Sequence, residues 1–251
     1  MKIAKTSRIL TPITDWSQLN NGHRLQAQTQ DLLNNTIPRC FGYHLLKLGH
    51  LSSQLKTDKS PIHHQISCAE SGTDIGLQSD LHDLPFQDST IDLCIMMHQL
   101  DFSSDPHQLL REIDRVLTLD GTLIISGYNP YSFFGFRSLI IPKNQQLARL
   151  FSPNRVIDWL HLLGFEIKFK QHFDYISTQP KGPITSLIEN IGQCYLSFFC
   201  SVYFIVAKKQ CIPMTPIKST FEFRRSIINN NPVTTKQSHT CSIQETKTKK
   251  I

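Results

Sequence analysis

Residues 80–130 constrain the fold more than any other stretch of the chain. An acidic residue closes one apolar run, and a tight loop, LPFQDST, leads into a second run at 91–97. Asp105-Pro106 then opens a helical segment, Asp120-Gly121 turns the chain, and a third apolar run follows at 122–126. A helix between two short apolar strands, with tight turns at both ends, is a βαβ crossover of a parallel sheet. Asp105 suits the N-cap, and Pro106 the first helical position, where a missing N–H costs nothing. Gln108 stands where a reciprocal capping residue would be. Leu109, Leu110, Ile113, Val116 and Leu117 share one face, leaving Arg111, Glu112, Asp114 and Arg115 for solvent. The run at 91–97 is nearly all apolar, as a strand covered on both faces should be. In such sheets ligands lie beyond the carboxyl ends of the strands, which puts Asp80, His98-Gln99 and Tyr128-Asn129 along one crevice.

The order D-x-x-x-LPF-x-D-x-x-x-D-x, an apolar run and His, then DPH-x-LLREI-x-RVL, then DG-x-LIISG-x-NP resembles the class I S-adenosylmethionine-dependent methyltransferases. It is most similar to the bacterial group with the type 11 methyltransferase domain. Some uncharacterised members share the tail formed here by Gly127, Asn129, Pro130, Ser132, Gly135 and Arg137. The resemblance is good over 80–137 and looser over 42–209. It implies an α/β, Rossmann-like fold, mostly parallel with an antiparallel last strand, and S-adenosylmethionine as cofactor.

Residue by residue, the resemblance places Gly49 in the glycine turn after the first strand (44–49). It also places Asp80, or the backbone at Leu81, against the adenine amino group. Asp80 capping its own turn through His82 is the structural alternative. The family's E/D-x-G-x-G-x-G is only partly kept: Lys47 replaces the acid, and Leu51 and Ser53 replace two glycines. S-adenosylmethionine is a net cation, so Lys47 would repel it unless the ammonium turned to solvent. A strand at 62–68 has Glu70 as the nearest acid for the ribose hydroxyls, two residues past its end. Between it and a third strand at 75–79 there is no room for a crossover helix, so the second crossover is reduced. His98, at the mouth of the fourth strand, is the candidate acid-base residue, or a hydrogen-bonded histidine of the crevice wall. Tyr128 and Asn129 orient the acceptor or fix the Asn-Pro loop.

The other segments complete three regions: a helical N-terminal extension at 1–38, a methyltransferase-like domain at 39–209, and a basic tail at 210–251. Residues 1–14 read as an unstructured lead, and 16–35 as one or two helices interrupted at Asn20-Asn21-Gly22. Short helices are expected at 143–150 and 184–192, with a Pro-Gly loop at 179–183. A longer helix at 152–163 ends at Gly164. Strands are expected at 165–169 and 195–208.

The formal charge of +6 is a property of the tail: residues 208–251 hold nine basic and two acidic side chains. The rest is near neutral, so a solvated tail is favoured over a nucleic-acid arm, which stays possible. Seven cysteines without CxxC or Cys/His metal spacing, and His63-His64 facing opposite ways on a strand, give no metal site. Scattered thiols suggest a reduced, cytoplasmic protein. No signal segment stands at the start, and the longest apolar stretch, 195–207, is too short to span a bilayer. Two functions remain: methyl transfer to an unidentified acceptor, or a catalytically inactive scaffold keeping the fold.

Overall fold

The computed structural model describes residues 13–19, 21–72, 75–132, 148–173 and 200–210. The chain divides into two compact units, Met1–Ile212 and Pro213–Ile251, and all described residues lie in the first. The expected helices at 143–150 and 184–192, the loop at 179–183 and the basic tail fall wholly or mainly outside the described residues, as does most of the lead.

A 3-10 turn, Trp16–Gln18, and helix α1, Gly22–Thr36, precede a second 3-10 turn, Ile37–Arg39. Then follow β1 (His44–Leu48), the one-turn α2 (His50–Ser53), β2 (His64–Ala69) and β3 (Leu77–Gln78). The crossover consists of β4 (Ile91–Met97), the short α3 (Gln99–Phe102), α4 (Pro106–Val116) and β5 (Leu117–Tyr128). Helix α5 (Pro153–Leu162), β6 (Phe165–Phe173) and β7 (Val202–Lys209) complete the described chain.

The sheet order is β3-β2-β1-β4-β5-β7-β6. The first five strands are parallel, and β7 runs antiparallel between β5 and β6. This is a Rossmann-like α/β sheet whose order reverses between β1 and β4. Both faces are covered, so each strand alternates between two cores. Leu46, Leu48, Met96, Ile125 and Tyr203 face α4 and α5; Leu45, Ile95, Ile124 and Phe204 face Trp16 and α1.

Asp105 caps α4 by accepting the N–H groups of His107 (3.0 Å) and Gln108 (3.1 Å). Gln108 does not complete a reciprocal box; its amide donates to the His82 carbonyl at 3.2 Å. Nor is Arg115 left to solvent. Its guanidinium donates to the carbonyls of Leu84 and Phe86, both at 2.8 Å, and pairs with Glu112 (2.8 Å) and Asp88 (2.6 Å). It thereby pins the LPFQDST loop to the helix.

Three boundaries differ from expectation. β3 is only two residues long, because just Cys68–Leu77 and Ala69–Gln78 pair. Asp120-Gly121 does not end a helix–strand turn but lies inside β5, with Asp120 at φ 83°. There Ile91 pairs with Leu117 and Leu93 with Thr122, so the intervening residues bulge out of the ladder. β6 continues four residues past 169, held by its pairing with β7.

Candidate functional site

The reversal between β1 and β4 opens a crevice beyond their carboxyl ends, the position where open α/β sheets bind ligands. On one side stands Gly49, whose N–H donates to the Cys68 carbonyl (2.8 Å). Its φ of +82° favours glycine, and a Cβ there would lie 2.2 Å from Gln99 Oε1. Gln99 therefore lies directly over the glycine turn.

The residues that replace the family's acid and glycine turn away from this crevice. Strand alternation puts Lys47 on the Trp16 face, where its ammonium donates to the Leu55 carbonyl at 2.9 Å. It is buried rather than turned to solvent; burial lowers its pKa, and Asp58 partly opposes that. The Leu51 side chain packs into the Trp16 core, and its carbonyl accepts the Trp16 indole N–H at 3.1 Å. Ser53 donates back to the Gly49 carbonyl at 3.0 Å, and Ser52 accepts the Met97 N–H at 2.9 Å. The degenerate turn is thus stitched to β4 and to the Trp16–Gln18 turn.

Glu70 follows β2 directly and Asp80 lies two residues past β3, and their carboxylates and a nitrogen of His82 lie within 4.8 Å of one another. Both imidazole nitrogens are already engaged, with Asp80 Oδ1 (3.1 Å) and with Ser103 Oγ (3.0 Å), so the trio is poorly suited to a metal. Asp80 Oδ1 also accepts the His82 N–H at 2.8 Å, which holds its carboxyl below the usual range. Asp80 thus caps its own turn while its carboxylate stays exposed. The Leu81 side chain is buried in the α4 core, leaving only its backbone near the turn.

His98 leaves β4 in the left-handed region, at φ 55°. A non-glycine residue held there is strained, a feature that clusters at functional sites. Its N–H donates to the Ser126 carbonyl at 2.9 Å, which fixes the backbone. The ring is fully buried, edge-on to Trp16 (centroids 6.0 Å apart) and tilted against Tyr128 (4.5 Å). Nδ1 lies 3.2 Å from Asp101 Oδ2, while Nε2 has no partner among the described residues.

Asp101 was not singled out by sequence, although its three-residue spacing from His98 on a helical turn was the available signal. It is fully buried, and Oδ2 also accepts the Tyr128 N–H at 2.9 Å. Burial raises its pKa; the bonds from His98 and Tyr128 oppose this. Tyr203, also missed, lies across the ladder from Gly127. A Cβ on Gly127 would lie 2.3 Å from its hydroxyl, so only glycine fits. Burial, with Asp101 nearby, pushes the phenol well above its usual pKa. The Ser126, Ser201 and Tyr203 hydroxyls and Asp101 Oδ1 are buried without partners among the described residues. Such a concentration of unsatisfied polar atoms marks a functional region more than a packed core.

The expected acceptor residues also lie here. Tyr128 is buried against His98, and Asn129 fixes its loop by accepting the Tyr131 N–H at 3.2 Å. Asn129 also lines a cavity of about 250 Å³ with Tyr131, Asn154, Lys170 and His172.

A family model described as a methyltransferase domain matches residues 45–125. An uncharacterised protein of Escherichia coli, YafS, is 33% identical over 228 residues, covering 88% of this chain and 91% of that protein. The chain belongs to the class I S-adenosylmethionine-dependent methyltransferase family. Solved methyltransferases share the fold at low identity. The Haloferax volcanii methyltransferase solved with the Trm112 activator is 16% identical at a TM-score of 0.57, covering 78% of this chain and 95% of that one. The geranyl diphosphate C-methyltransferase of Streptomyces coelicolor, solved with S-adenosyl-L-homocysteine, is 11% identical at 0.54, over 81% and 88%. As a class I methyltransferase-fold domain, this one departs from the family in its glycine turn and reduced second crossover.

Proposed function

We propose that the protein binds S-adenosylmethionine beyond the carboxyl ends of β1 to β4 and transfers its methyl group to an unidentified acceptor. One observation carries this reading: the strand-order reversal brings Gly49, Glu70, Asp80 and the buried His98 to neighbouring strand ends. The chain offers residues suited to the group: Gly49 bares its backbone once the Gln99 side chain above it swings aside, Glu70 and Asp80 put two carboxylates past the ends of β2 and β3, and Lys47 is turned into the Trp16 face. When bound, S-adenosylmethionine supplies a methyl on a sulfonium, open to in-line attack, so positioning does most of the catalysis.

In this reading Glu70 holds the ribose hydroxyls, and Asp80 with the Leu81 backbone holds the adenine. His98 holds or takes the acceptor's proton at Nε2, and Asp101 orients its ring through Nδ1. Tyr128 and Asn129 form the acceptor side. We place the protein in the cytoplasm; Cys40, Cys68 and Cys94 are buried free thiols. Among the described residues no helix is long and apolar enough to cross a membrane.

Calorimetry with S-adenosylmethionine and S-adenosylhomocysteine tests the reading. Both ligands are expected to bind, with Asp80→Ala weakening them about tenfold, since a charged hydrogen bond contributes roughly 1.5–3 kcal/mol. Asp80→Asn keeps the turn and separates that effect from local unfolding. Silence at millimolar ligand would leave the second reading, a non-catalytic scaffold, which Lys47, Leu51, Ser53 and the reduced crossover favour. Binding unchanged by Asp80→Ala would remove Asp80 from the site.

A further inference from the structure

At the amino end of β5, far from His98, strand β6 carries a bulge. Ile167 pairs with Ala207 and Phe169 with Val206, which leaves Lys168 as the extra residue. Neighbours on a regular strand point to opposite faces; here Lys168 and Phe169 both line one hollow. The hollow lies between the end of α1 and strands β5, β7 and β6, and measures about 360 Å³. That lies within the range of small-molecule sites, ~300–1,000 Å³.

Its chemistry is two-sided. Buried Val206 and Cys40 supply an apolar floor, and Phe169, 43% exposed, stands at the mouth. Cys40 is held as a neutral thiol, because burial pushes its pKa up, so the floor carries no anion of its own. Around the rim stand Arg39, Lys168 and Lys208. Lys168 pairs with Glu166 at 2.5 Å and Lys208 with Asp120 at 3.5 Å, all four side chains well exposed. Exposed pairs of this kind contribute little and rearrange readily around a better anion. The Arg39 side chain makes no hydrogen bond or ion pair among the described residues.

We propose that this hollow is a second binding site, for a small amphiphilic anion: a carboxylate or phosphate head on a short apolar body. The head sits among Arg39, Lys168 and Lys208, and the body lies on Val206 and Phe169. Thr122, on its wall, and Tyr128, against His98, stand at opposite ends of one strand segment, about 20 Å apart at ~3.3 Å per residue. The site is therefore separate from the methyl-transfer centre and stands whether or not that reading holds.

Monomeric decanoate, titrated into the full chain by calorimetry and amide NMR, is the probe. Saturable one-to-one binding is expected, with shifts at Thr122, Val206 and Lys208 and none at His98 or Tyr128. Decanol and decyltrimethylammonium should bind at least tenfold more weakly, as should decanoate to the Arg39→Gln/Lys168→Gln protein. Phe169→Ser, at an exposed position, is the second variant should the double one fail to fold, with the same tenfold loss expected. The proposal is overturned by no saturation at millimolar decanoate, by equal binding of decanol, or by variants that bind as the parent does. Shifts at the His98 end overturn it too. So does capture by phosphatidylglycerol vesicles without binding of monomeric decanoate, which would make the rim a membrane contact.

Discussion

Tyr203 and Gly127 show at single-residue scale how the site differs from a packed core. The Tyr203 hydroxyl is buried without a partner among the described residues, so stability alone would favour phenylalanine. Tyr203→Phe should raise the unfolding free energy by about 1 kcal/mol in urea titrations; a loss of that size would show that the hydroxyl is bonded after all. Gly127→Ala should destabilise strongly, because its Cβ would meet that hydroxyl at 2.3 Å, and Tyr203→Phe should partly rescue it. His172 makes a pH prediction. Burial, with Lys170 beside it, pulls its pKa down to about 4. Between pH 6.5 and 4 the unfolded chain therefore takes up a proton that the folded chain refuses. Its contribution is present above about 6.5 and is lost as pH falls toward 4. His172→Gln should flatten that part of the stability–pH curve; an unchanged slope would mean the imidazole titrates normally.

Elements were legible where their causes are local. Helix α4 could be read from its Asp-Pro start and apolar stripe, because the cap stands immediately before the eleven residues that carry the periodicity. Residues 117–121 could not: they join β5 only because Leu117 finds Ile91, a partner 26 positions earlier. The same holds for Arg115, solvent-facing by helix periodicity but bound to loop carbonyls 29 and 31 residues away. Arg115→Met keeps the stem's packing and removes those bonds. It should cost about 1–2 kcal/mol and selectively speed amide exchange across residues 84–90. Exchange that rises evenly over the whole domain would deny the clamp.

For the molecule as a whole, the Trp16–Gln18 turn covers the crevice end of the sheet. Trp16 is 1% exposed, donates to Leu51 thirty-five residues away, and packs its ring against His98. Trp16→Ala should cost roughly 3–5 kcal/mol and uncover the His98 amide to exchange. A small loss with His98 still protected would mean Trp16 is not part of the site's wall.

The sequence by itself determined the crossover, its parallel strands and the strand ends that border the crevice; the antiparallel last strand was implied only by the family resemblance. The crossover and its strand ends follow from apolar periodicity, caps and turn residues, which act over a few positions. It left open which way Lys47 turns, since alternation names a face and not a partner; the Leu55 carbonyl decided that. Only the tertiary structure set Tyr203 over Gly127, and Lys168 beside Phe169 in one hollow. Each depends on register or a bulge between strands distant in sequence, and no local pattern encodes the packing that selects them.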